Sequence, residues 1–393
     1  MNIKINSIYK ILFFMLVFTG VLSSYKNAYL LHNFIIALFL GCSLLVSRET
    51  RISQLAILYA FFSCFSFISQ LYVFGIEDVS LNGRYFTLIL ISILLLSINK
   101  VKDNFSFESV VLINVSLLPV LFILGGFDTT WQGRITTEYL NPNLQGMAVF
   151  LGFMVCLINI IERKFLIIST ILFLSCSIFL VMSGSRQNLI FIMIGVAFLI
   201  ITIIFTKNYF LRNNLLKKTS ILTIGFVSSI FVSYYFVELL LRRFGLTSID
   251  ELIMLVSSSG IEYSAGERLN YIWASLLTII EYPFGVGFGN VKHGISTFGS
   301  DEFKITSNAH SFFAESNFSS GAIGLIFWFV TLLYITLLAF NRINFKRYGY
   351  IPPYLLVASF ISPLLSFKLF WVILVILEMQ LRENIVKCRN VEM

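Results

Sequence analysis

Apolar residues fall in long blocks separated by short polar or basic stretches, and most blocks approach the roughly 20 residues needed to cross a bilayer. The blocks run over residues 11–24, 28–46, 52–74, 85–98, 107–126, 144–161, 165–182, 187–205, 220–241, 319–340, 351–366 and 369–381, the first and fourth being short. Read as helices, the form a chain takes when lipid cannot satisfy its backbone, they predict an all-α polytopic membrane protein with about 12 transmembrane helices. The first block follows Lys4 and Lys10 as a signal peptide would. No small-x-small cleavage site precedes Lys26, so a retained first helix is expected.

Polar stretches between the blocks set the orientation. Of the 28 Lys and Arg, 18 fall at the termini and in the loops on one side of the predicted spans, and 10 on the other. Basic residues are retained in the cytoplasm, so both termini are expected there. Half of the opposing ten lie in one loop, 242–318, long enough to cross whatever its charge. The chain thus divides into helices 1–9 over 1–241, an external loop over 242–318, and helices 10–12 with a tail over 319–393. Within the loop, 264–282 carries Leu269, Ile272, Trp273, Leu276, Leu277 and Ile280 at helical spacing. Ser264-x-x-Glu267 opens it as a capping box and Pro283 closes it, which predicts an amphipathic helix on the membrane surface or on the bundle.

Composition agrees. Hydrophobic residues make up 58% of the chain and charged ones 12%, too apolar for a soluble core. The net charge of +8 follows from the loop asymmetry and needs no nucleic-acid partner. Cys42, Cys64, Cys156, Cys176 and Cys388 form no CxxC pair, and neither a disulfide framework nor a metal site is expected. No HExxH, Walker or EF-hand pattern occurs, so no cofactor is expected.

Candidate chemistry gathers on the external side. His310, one of three histidines, stands ahead of a long apolar run and can exchange a proton near neutrality; a structural histidine looks the same. Ser183-Gly184-Ser185-Arg186 opens a helix with free backbone N–H groups and a two-pronged cation, a phosphate cradle or else a snorkelling arginine. Arg268 lies in the first turn of the amphipathic helix, a ligand or an exposed charge. Pro283-Phe284-Gly285-Val286-Gly287-Phe288-Gly289-Asn290 lacks the preceding strand of a nucleotide loop, and its glycines are expected to turn the chain sharply and pack it close to a helix. Asn141-Pro142-Asn143, with Arg134 upstream, reads as a turn.

Three of these stretches carry a resemblance to the O-antigen ligase and O-antigen polymerase family of bacterial membrane glycosyltransferases. They are SGSR ending at Arg186, ERLNYIWASLLTIIEYPFGVGFGN from Glu267, and His310-Ser311 followed nine residues later by Gly321-x-x-Gly324. The resemblance implies an architecture similar to GT-C-type glycosyltransferases in the bacterial inner membrane, with a periplasm-facing site acting on an undecaprenyl-diphosphate-linked glycan. It implies catalytic roles for His310, Arg186 and Arg268, with Ser183, Ser185, Arg134, Asn143, Asn290 and Ser311 as substrate contacts. A polymerase of surface-polysaccharide repeat units, with a chain-length regulator as a further partner, is the first expectation. Ligation to lipid A-core or to protein is the second. A transporter of the same lipid-linked glycan is the rival class; apart from Glu238 and Glu378 near span ends, no ionisable residue inside the predicted spans marks a transport path.

Overall fold

The structure is a computed structural model that describes residues 2–20, 26–45, 53–74, 83–98, 105–116, 118–119, 128–131, 134–136, 142–183, 185–205, 263–299, 311–362, 364–365 and 367–392. Its first half holds α1 (Asn2–Gly20), α2 (Lys26–Leu45), α3 (Gln54–Phe74), α4 (Gly83–Ile98) and α5 (Phe107–Val115), then the strands β1 (Asp128–Trp131) and β2 (Arg134–Thr136), then α6 (Pro142–Ile161), α7 (Leu166–Met182) and α8 (Arg186–Phe205). The second half holds α9 (Tyr263–Glu281), a 3-10 turn at Phe288–Asn290, α10 (Val291–Phe298), α11 (Phe312–Ala339), α12 (Phe345–Tyr348), α13 (Ile351–Ile361) and α14 (Lys368–Glu392).

These helices are apolar on both faces. On α1, Tyr9, Phe13, Leu16 and Val17 are buried while Ile8, Ile11, Phe14 and Met15 point outward; on α7, Leu172, Cys176 and Phe179 are buried while Ile167, Ile171, Leu174 and Ile178 are exposed. A water-facing helix carries polar residues on its outer stripe, so this pattern is that of helices surrounded by lipid. Among the described residues, Gln54–Val73 and Phe312–Ala339 have the length and composition to cross a bilayer, the latter counted across the reversal described below, and shorter apolar helices lie at Ser7–Thr19, Leu31–Ser43, Thr87–Ile98, Gln145–Ile161, Leu166–Met182 and Gln187–Ile200. The expected ninth span, 220–241, lies outside the described residues.

Four details add to the sequence expectations or depart from them. The fold is all-α as expected, with one small addition: β1 and β2 pair antiparallel, Asp128 opposite Thr136 and Trp131 opposite Arg134. The fifth span is interrupted, since α5 ends at Val115 ahead of Ser116 and Pro119, where a proline prevents continuation. α13 stops at Ile361 because Ser362 precedes Pro363 and takes an extended conformation, φ −131° and ψ 142°. α14 runs on to Glu392 through a polar stretch that hydropathy misses, supported by Glu383 to Lys387 at 2.8 Å.

The largest departure is α11. A straight helix would put Phe312 and Phe327 about 22 Å apart at 1.5 Å per residue. Their rings lie 5.9 Å apart, and those of Phe313 and Trp328 4.9 Å apart. The chain reverses at Ser320 and Gly321, the latter at φ 56° and ψ −129°, so α11 is a hairpin of two helical segments and not one span with the histidine at its end. Every residue from 311 to 321 is buried, among them the polar Ser311, Glu315, Ser316, Asn317, Ser319 and Ser320. Polar side chains are buried at little cost only where protein groups surround and bond them, and here the hairpin and its neighbours enclose the segment.

Away from this hairpin, the far ends of α5, α6 and α11 converge on a polar cluster. Arg347 on α12 bonds Glu162 beyond α6 and lies 3.6 Å from Glu108 on α5, and the Tyr348 hydroxyl also donates to Glu108. Burial acts to raise the Glu162 carboxyl, but hydrogen bonds from Arg347 and Lys164 outweigh it and hold it below the usual carboxylate range. Glu378, fully buried on α14, accepts from Ser53 and the Gln54 N–H at the start of α3 and from Tyr334 on α11.

Candidate functional site

The histidine motif has a structural meaning in the hairpin. Ser311 caps the short segment, its hydroxyl accepting from the Ala314 N–H at 3.3 Å, and Gly321 lies at the reversal, where a left-handed φ favours glycine. Gly324 completes the pattern: a Cβ there would collide with the Ser316 carbonyl, so its lack of a side chain lets the two segments touch. The nine residues between Ser311 and Gly321 are therefore the length of the buried helix, and Gly321-x-x-Gly324 is the turn and the contact that fold it back. His310 itself lies outside the described residues.

The glycine loop docks on this reversal, as its composition led one to expect. Val286 and Gly287 donate their N–H groups to the carbonyls of Phe318 and Ser319 at 2.8 and 3.1 Å, and Ala322 donates to the Pro283 carbonyl at 2.9 Å. Gly285, at φ 78°, faces Gly321; a Cβ on it would stand 2.5 Å from the Gly321 nitrogen. Asn290 ends the 3-10 turn half-buried, and its Nδ2 has no hydrogen-bond partner among the described residues.

Of the two placements expected for α9, the membrane surface or the bundle, its exposed apolar residues fit the first. Tyr271, Ala274, Ser275 and Thr278 are buried, whereas the apolar Trp273 and Ile280 stand 63% and 78% exposed. The small and polar side thus packs inward and the apolar side turns out, the arrangement a lipid surface selects. Asn317 Nδ2 donates to Ser275 Oγ at 3.2 Å, fixing α9 against the buried segment of α11. Arg268, half-buried, lies seven residues before Ser275, two helical turns back on the inward face. It is not the solvent-facing charge that an outward polar face would have made it.

The SGSR turn is held from two sides. The Ser183 hydroxyl donates to the Leu180 carbonyl at 2.8 Å and accepts from Asn188 Nδ2 at 2.7 Å; Ser183 and Ser185 are both buried. Asn188 sits directly on Gly146 of α6, where a Cβ would collide with its amide. That contact brings the first turn of α6, which holds Asn143, beside the start of α8, whose first residue is Arg186. β2, which begins at Arg134, runs against α6 and α7. The other support is α13: Ser362 Oγ donates to Gln187 Oε1 at 2.9 Å, and one turn earlier the Ser359 carbonyl accepts from Ser311 Oγ at 3.2 Å.

The last turn of α13 therefore joins the residue after Arg186 to the residue after His310. Sequence reasoning singled out Ser183, Ser185 and Ser311, which lie in this assembly, and Arg268, which lies on the inward side of α9. It missed Gln187, Ser275, Asn317 and Ser362, whose uncharged side chains carry no sequence signal. It also missed Glu315, buried in the first turn of α11, because the predicted span began at 319.

No curated protein matches the chain. Residues 168–329 match the family model described as O-antigen ligase, a stretch that contains the SGSR turn, α9, the glycine loop and the histidine motif, and the match supports the O-antigen ligase and polymerase family for this chain.

Proposed function

We propose that the protein is a polymerase of surface-polysaccharide repeat units, joining them from an undecaprenyl-diphosphate-linked donor at the periplasmic face of the bacterial inner membrane. The observation that carries the glycan-transfer part of this reading is the match of residues 168–329 to the O-antigen ligase model, and the bond between Asn317 and Ser275 joins two of the motifs inside that stretch. α9 is tied to the buried segment of α11 at Ser275 and Asn317, and the loop that follows α9 is tied to the reversal that ends that segment, the Pro283 carbonyl accepting from Ala322. Seven residues back from Ser275 is Arg268, and seven back from Asn317 is His310. These bonds tie together the helix that carries Arg268, the residue after Arg186 and the residue after His310, which supports a reading in which the three serve one site.

The chemistry balances with these groups. A hydroxyl oxygen of the acceptor glycan attacks C1 of the donor sugar and forms the new C–O bond while His310 takes the hydroxyl proton. The bond from C1 to the phosphate oxygen breaks, and its electron pair leaves with the lipid diphosphate. Arg186 and Arg268 neutralise the charge growing on that leaving group, a task guanidinium pairs perform without a metal. Ser183, Ser185, Ser311, Asn290, Arg134 and Asn143 are proposed to line the same chamber. In the membrane the buried segment of α11 is then re-entrant, and Trp273 and Ile280 of α9 meet lipid.

Transfer of finished glycan to lipid A-core is the second reading, because the same residues serve either acceptor. Deleting the gene and resolving the surface glycan by electrophoresis separates them. Polymerase loss leaves a single repeat unit on lipid A-core, whereas ligase loss leaves bare core with the glycan still on its lipid carrier. Carrier stranded on the cytoplasmic side would overturn both in favour of transport.

A further inference from the structure

We propose that Gln187 is a further donor-binding residue, its side-chain amide donating from Nε2 to an oxygen of the diphosphate. This rests on the proposed lipid-diphosphate donor. Gln187 is the second residue of α8, immediately after Arg186, where backbone N–H groups lack helical partners and favour an anion. It is only 3% exposed. Its Oε1 accepts from Ser362 Oγ at 2.9 Å, which fixes the amide and leaves its two N–H donors on Nε2. Nε2 has no hydrogen-bond partner among the described residues, though it is buried. Buried amide donors without an acceptor are rare and costly. An oxygen-rich ligand at the start of α8 supplies what the amide lacks.

The neighbouring side chains keep this geometry rigid. Asn188 is held between Ser183 and Gly146, so the first turn of α8 cannot rotate to give Gln187 another acceptor. Ser362, which anchors Gln187, lies one turn from the Ser359 carbonyl that holds Ser311. The amide is thus tied to the helix that follows the histidine, and donor engagement at α8 bears on the spacing between the two arms of the site.

Binding of undecaprenyl diphosphate to the full-length protein in detergent tests this, with Gln187→Leu, Gln187→Glu and Ser362→Ala beside the unmodified chain and thermal unfolding as a folding control. Loss of a hydrogen bond to a charged oxygen predicts about tenfold to hundredfold weaker binding for Gln187→Leu. Gln187→Glu keeps an oxygen for Ser362 but opposes the diphosphate with charge, and is expected to bind weaker still. Ser362→Ala keeps the amide and loses only its anchor, so it should bind clearly more tightly than Gln187→Leu. Binding by Gln187→Leu within twofold of the unmodified chain, or equal losses in Gln187→Leu and Ser362→Ala, overturns the inference while leaving the donor reading intact. Failure of the unmodified chain to bind undecaprenyl diphosphate overturns that reading and this inference with it.

Discussion

Asn317 Nδ2 donates to Ser275 Oγ at 3.2 Å, with both side chains fully buried. The bond fixes the register between the helix that carries Arg268 and the helix that follows His310. Removing it in Asn317→Ala is expected to cost about 0.5–1.5 kcal/mol of stability, the usual net worth of a hydrogen bond. The larger effect should be on transfer: kcat falls as the two arms lose register, while KM for the lipid-linked donor changes little. Steady-state kinetics on the purified variant check this, and an unchanged kcat would sever the register from the reaction.

The hairpin predicts an unusual pattern for glycine substitution. Alanine is ordinarily the better helix former by about 1 kcal/mol. At Gly324 it is expected to destabilise by about 1–3 kcal/mol, because its Cβ would collide with the Ser316 carbonyl and overpack the hairpin. Gly41→Ala on α2 has nothing within 4 Å to meet and should be neutral or better. Thermal unfolding of the two variants side by side decides it, and equal midpoints would contradict the folded-back segment.

The polar cluster at the opposite end predicts an acid limb to stability. The Glu162 carboxyl is held below its ordinary range, so the folded state favours the charged form. That contribution is fully present above the unfolded carboxylate pKa of about 4.3 and is lost as pH falls through the lower folded value. Arg347→Met should flatten the fall in unfolding midpoint seen on acidification below that range. A variant with the same acid slope as the unmodified chain would remove Glu162 from the account.

Orientation is open to labelling. In a background without the native cysteines, single cysteines near Ser300 and Asn141 are expected to react with an impermeant thiol reagent in spheroplasts, and one near Asn213 is not. The reverse pattern would move the site to the other face of the membrane.

Most of the fold was legible because apolar length is a strong signal: the blocks at 144–161, 165–182 and 187–205 coincide with α6, α7 and α8 to within two residues. The hairpin was not: the block at 319–340 found its second segment, but residues 312–318, with Glu315, Ser316 and Asn317, read as loop, and only the contacts of Gly321 and Gly324 show that they fold back on it. The same blindness hid the sense of α9: its apolar stripe was plain, but whether Trp273 and Ile280 meet the bundle or lipid depends on what Ser275 and Thr278 pack against. For the site, the charged residues stood out by type. Gln187, Asn317 and Ser362 could be found only from the bonds they make.

The central claim is that Arg186, Arg268 and His310 form one metal-independent transfer site, and glycan transfer by the purified protein from a lipid-diphosphate donor tests it most directly. His310→Ala is expected to bind donor as the unmodified chain does but to transfer about 10² to 10⁴ times more slowly, the usual share of a general base. Arg186→Lys and Arg268→Lys keep their charge but lose the two-pronged contact and much of the activity, and chelator leaves the unmodified enzyme unaffected. Full transfer by His310→Ala, or strict dependence on an added divalent metal, would contradict the account.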